Sequence, residues 1–209
     1  MPEAQPEYAD SPLLEEKATQ AIVEVVRMDP ENPKHVEAAH RLDVESAREG
    51  MQDETGKPET LTKNEFHNWI HSKGYWHSLY LGSTEGHPLS MFGNTYELDD
   101  DLYQQLIQDG HLSQGQKGEE LATFVPPDLE NDWRLSMSLT RQVVASRFAG
   151  DPTLEYIVEF ITHEDGQLDQ GEAQSLIDLG FKQASTVKYS DGEEDDSTAF
   201  IIRREALVP

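Results

Sequence analysis

Two kinds of apolar repeat alternate along this chain, and their order constrains the fold more than any other feature. Residues 20–28, QAIVEVVRM, set Ile22, Val23, Val25 and Val26 among polar neighbours, which is the branched, period-two pattern of a strand. Asp29-Pro30-Glu31-Asn32-Pro33 breaks that pattern. From Lys34 to about Glu49 the apolar residues Val36, Ala39, Leu42, Val44 and Ala47 then fall near helical spacing, and Gly50 closes the run. Thr62-Lys63-Asn64-Glu65 reads as a capping box that opens a second helix, through Ser72, with Phe66, Trp69 and Ile70 on its apolar face.

The remainder keeps switching period. Tyr75–Leu81 and Leu89–Tyr96 read as strands joined by a hairpin over Gly82–Pro88. Asp99-Asp100-Asp101 opens a helical insertion near 99–118. Glu119–Val125 is the next strand, ended by Pro126-Pro127. Asp132 caps a long helix, Trp133–Phe148. Residues 153–161, TLEYIVEFI, alternate as a strand, and a helix Glu172–Leu179 ends at Gly180. Ala184–Tyr189 and Thr198–Arg203 form two last strands around the acidic tip SDGEEDDS. The order is β-α-α-β-β-(α)-β-α-β-α-β-β, which predicts a mixed α/β fold with one central sheet. Residues 1–18 hold five acids and three prolines and read as a flexible acidic tail before a single domain over 19–209.

Composition narrows the function classes. The chain has 41 acids against 16 Lys and Arg, a formal charge of −25. Such a surface repels nucleic acid and anionic membranes; it reads either as a solvated acidic surface, such as salt-loving organisms use, or as a preference for cationic partners. With no cysteine, thiolate nucleophiles and cysteine zinc sites are excluded. No apolar run is long enough to span a membrane, and the first residues carry no basic, apolar leader, so the cytoplasm is the expectation. No nucleophile elbow, P-loop or dinucleotide fingerprint is present. Two weaker patterns remain. Ile161–Glu172 has the spacing of a calcium loop at Asp165, Gly166, Asp169 and Glu172, but Ile161 stands where the first ligand belongs. His67 and His71 share a helix face at zinc-ligand spacing, with no third ligand.

Three segments carry a resemblance: VVRMDPENPKHVEAAHRL, LATFVPPDLENDWRLSMSLTRQVVASRFAG, and YIVEFI followed by AQSLIDLGFKQ. In order and spacing they are similar to the GCN5-related N-acetyltransferases. The resemblance implies a central, mostly antiparallel sheet flanked by helices, in which the fourth strand parts from the fifth to admit acetyl-CoA. It implies N-acyl transfer to a small amine, and it carries the expectation of a homodimer, since many members pair. The acyl-CoA contacts would come from Phe124 and Val125 on the fourth strand and from Asn131, Trp133, Arg134 and Leu135 at the loop and helix after it. The family's glutamate that takes the amine proton would be Glu119 or Glu120. Its tyrosine, which protonates the leaving thiolate, falls on Leu176, so Tyr156 and Tyr189 are substitutes by chemistry alone, each also suited to packing in the core.

The chain departs from the family at the phosphate loop. Glu130–Leu135 contains no glycine, and Asp128, Glu130 and Asp132 put three acids where phosphates would lie, with Arg134 and Arg141 the nearby bases. These departures keep a second reading open: a non-catalytic binding module on the same fold.

Overall fold

The computed structural model describes residues 24–50, 61–73, 77–126, 129, 133–163, 166–187 and 196–207. The acidic tail, the acids of the phosphate loop, Asn131, Asp165, Tyr189 and most of the acidic tip lie outside these residues. The elements are β1 (Glu24–Arg27), α1 (Pro33–Gly50), α2 (Lys63–Lys73), β2 (Leu79–Thr84), β3 (His87–Glu97), α3 (Asp100–Gln108), β4 (Gly118–Phe124), α4 (Trp133–Gly150), β5 (Tyr156–Thr162), α5 (Gln170–Asp178), β6 (Lys182–Val187), β7 (Ser197–Arg203) and a closing 3-10 turn (Arg204–Leu207). The seven strands form one sheet in the order β1-β2-β3-β4-β5-β7-β6. Every pairing is antiparallel except β4 with β5.

Local chemistry explains the boundaries. Thr62 and Glu65 form the expected box: the Thr62 amide and hydroxyl both donate to Glu65 Oε2, at 2.8 and 2.6 Å. Asp99 caps α3 by accepting from the amides of Asp101 and Leu102. Asp169 does the same for α5, so that helix begins at Gln170, ahead of the expected Glu172. The β2–β3 connection is shorter than Gly82–Pro88. Pairing continues to Thr84 and His87, and Glu85-Gly86 makes the turn with Gly86 at φ +81°. Pro88 fits inside β3 because β4 pairs only with Phe92–Glu97, so the missing N–H costs no bond on that side.

The sheet separates three buried clusters. Helices α1 and α2 cover Leu79 and Leu81 on one face. On the same face α3 covers Tyr156, Val158 and Ile201. Helices α4 and α5 cover the other face, where Leu139, Val143 and Val144 meet Leu121, Ile157 and Phe200. Gly93 permits the close approach of α4, since a Cβ there would stand 2.7 Å from Val143.

Candidate functional site

The site begins where β4 and β5 part. The two strands pair only over Gly118–Glu120 and Tyr156–Val158, while β4 runs on to Phe124 and β5 to Thr162. Beyond Glu120 the edge of β4 that faces β5 has no strand partner. A cavity of about 400 Å³ fills the gap, bounded by Leu121–Val125 on one side and Glu159, Phe160 and Thr162 on the other. A second cavity, about 590 Å³, shares Thr123, Ser136, Glu159 and Glu172 with the first and continues between α4 and α5. Together they make one slot through the sheet and along its α4–α5 face.

Successive residues of a strand point to opposite faces, and this sorts the two glutamates proposed as base. Glu119 turns toward α4. Arg147 Nε donates to its Oε2 at 2.6 Å, Arg147 Nη2 to its Oε1, and Thr95 Oγ1 to Oε2 at 2.6 Å. This fork-to-fork pair ties β4 to α4 beneath the sheet. Glu120 turns the other way into the gap. It is 7 % exposed, and the Tyr96 hydroxyl donates to its Oε1 at 2.7 Å. Tyr96 is a site residue that the sequence reading missed.

Glu159 was also missed. It sits on the same face of β5 as Ile157 and Ile161, toward α4 and α5, and borders both cavities. Its Oε2 is turned away from bulk solvent and meets no hydrogen-bond partner among the described residues. Burial, with Glu172 and Glu120 nearby, pushes this carboxyl up to about 8, which favours its protonated form near neutral pH. The signal was present in YIVEFI: a glutamate interrupts the apolar row Ile157, Ile161 that faces the core.

The other proposed residues separate. Phe124 and Val125 line the gap. Leu135 packs in the core beneath it, Arg134 is half-buried in the first turn of α4 without lining the slot, and Trp133 begins that helix. Tyr156 is not at the slot. It is 1 % exposed in the cluster under α3, its ring lying over Gly118, and burial raises its phenol further above the usual range. Leu176, where the family's tyrosine would fall, does border the second cavity. Ile161 is buried in β5 and Asp169 is engaged in capping, so the calcium-loop spacing is not assembled as a ligand shell. The His67 and His71 rings lie 4.5 Å apart on α2, tilted by 53°, and no group of three metal-ligating side chains occurs among the described residues.

The slot's polar lining suits the uncharged arm of an acyl-CoA: an unpaired strand edge and the hydroxyls of Thr123, Ser136 and Thr140. Its charged lining is entirely acidic among the described residues, with Glu120, Glu159, Asp169, Glu172 and Asp178 and no Lys or Arg. No helix of the described residues is long and apolar enough to cross a membrane.

No family model and no curated protein matches the chain. Solved structures do. A spermidine N-acetyltransferase from Vibrio cholerae, in complex with CoA and spermine, aligns over 90 % of this chain and 98 % of its own at TM-score 0.60 and 10 % identity. A ribosomal-protein-alanine N-acetyltransferase from Brucella melitensis aligns over 86 % and 99 % at TM-score 0.59 and 10 % identity. An acetyltransferase of the GNAT family from Bacillus anthracis aligns over 88 % and 95 % at TM-score 0.55 and 13 % identity. These alignments span nearly the whole of each chain, and with the parted β4 and β5 they show that the chain has the fold of the GCN5-related N-acetyltransferases.

Proposed function

We propose that this protein transfers an acyl group from acetyl-CoA, or a related acyl-CoA, to a small cationic amine. The observation that carries the reading is the gap between β4 and β5 with a carboxyl group entering from each face of the sheet. An acyl-CoA bound in the slot supplies the thioester carbonyl. Thr123, Ser136 and Thr140 would hydrogen-bond the arm along the α4–α5 face, and Phe124 and Val125 would pack against it. The unpaired β4 edge offers a backbone N–H to the carbonyl oxygen, where negative charge develops. The amine enters from the opposite face. Glu120 attracts its ammonium form and takes the proton that nucleophilic attack requires, with Tyr96 fixing the carboxylate. An amine acceptor is also what the Vibrio cholerae structure's name describes for that protein.

The test is release of free thiol from acetyl-CoA in the presence of a panel of mono- and polyamines. The protein has no cysteine, so every thiol detected comes from the donor. Glu120→Gln should lower kcat/KM by about 10²–10⁴-fold without unfolding the protein. Turnover unaffected by that change would remove Glu120 from the reaction.

The wholly acidic lining favours one other reading, a binding module that holds a cationic ligand in the same slot without chemistry. It predicts saturable amine binding and no thiol release.

A further inference from the structure

We propose that Glu159 is the proton donor of this site, occupying from β5 the role that Leu176 vacates on α5. The inference rests on the acyl-transfer reading above. Three placements carry it. Glu159 lies on the α4–α5 face, across the sheet from Glu120, so donor and acceptor ends of the slot each meet one carboxyl. It borders both cavities, as does Glu172, while Leu176 borders the second. Its Oε2 is turned away from bulk solvent and has no hydrogen-bond partner among the described residues, an arrangement that leaves the group wanting one from a ligand.

The neighbours determine its protonation. Glu120 lies across the sheet on β4 and Glu172 stands on α5, each within electrostatic reach, with Asp169 and Asp178 of the same helix region bordering the second cavity. Among the described side chains, helix α4 contributes the hydroxyls of Ser136 and Thr140 and the thioether of Met137 to these walls. No cation lines the slot among the described residues; Glu120 accepts a hydrogen bond from the Tyr96 hydroxyl, whereas Glu159 Oε2 has no partner among the described residues. Two carboxyls in one slot with opposed environments divide into base and acid.

The step balances within the slot. The substrate ammonium first releases one proton through Glu120 to solvent; the neutral nitrogen then bonds to the thioester carbon, and the second proton it sheds passes to Glu120. The carbon–sulfur bond breaks, sulfur keeps the electron pair, and the Glu159 carboxyl supplies the proton that makes the thiol. Glu120 and Glu159 then exchange one proton through solvent and return to their starting states.

The experiment compares the full chain with Glu159→Gln, which keeps shape and neutrality but has no acidic proton. Ligand-free infrared difference spectra at neutral pH should contain a protonated-carboxyl band that the variant loses. With acetyl-CoA and an amine, the variant's kcat should fall about 10²–10³-fold while KM for acetyl-CoA stays within about threefold, and the alkaline fall of kcat in the wild type should disappear. Turnover in the wild type without the infrared band, or an unchanged kcat in Glu159→Gln, overturns the role of Glu159 alone. A band with no turnover of any amine overturns the acyl-transfer reading and the role with it.

Discussion

Glu159 and Arg147 illustrate opposite ways of placing charge inside this protein. Arg147 and Glu119 are 14 % and 13 % exposed at the side chain and satisfy each other in two parallel bonds. Removing one member strands the other, so Arg147→Met should cost about 3–5 kcal/mol in denaturant unfolding, and adding Glu119→Leu should restore most of it. Glu159 has no such partner among the described residues, and burial favours its neutral form. A carboxyl whose folded value is raised contributes stability that is complete below its unfolded value and is lost as pH rises through the folded one, here from about 4.3 to about 8. Glu159→Gln escapes that loss. Its stability relative to the wild type should therefore grow between about pH 5 and pH 9, reaching a few kcal/mol. A constant difference across that range would show that Glu159 titrates normally.

At the scale of elements, the slot depends on where two strands stop touching. Gly118 begins the short parallel contact, and a Cβ there would stand 1.9 Å from the Tyr156 ring. Gly118→Ala should therefore cost about 3 kcal/mol or more and weaken ligand binding at the gap, and Tyr156→Leu in the same chain should recover part of the stability. Thermal unfolding and calorimetric titration of the single and double variants check this. Most elements could be read in advance because period, cap and breaker agreed: Thr62 with Glu65, Asp99 before α3, and Gly180, at φ +98°, after α5. The parting of β4 from β5 was legible only through family resemblance, since no local pattern encodes a gap. The hairpin was read too long because a proline was taken as a strand end when it lies on an unpaired stretch of edge. Within the site, strand alternation separated Glu119 from Glu120 only after the position of α4 was known. Glu159 was passed over because an alternating strand invites attention to its apolar residues.

For the molecule as a whole, the net charge of −25 and the acidic slot set the conditions under which any anion can bind. Acetyl-CoA carries phosphates, and the described slot offers them no cation. Screening should therefore help this protein where it weakens most phosphate sites. The same charge would favour the cationic acceptor proposed above. The central claim is that an acyl-CoA occupies the gap between β4 and β5, and the direct measurement is calorimetric titration of the folded protein with acetyl-CoA at moderate and at high salt. Saturable binding that tightens as salt rises is the expected result; no binding at either salt would contradict the account.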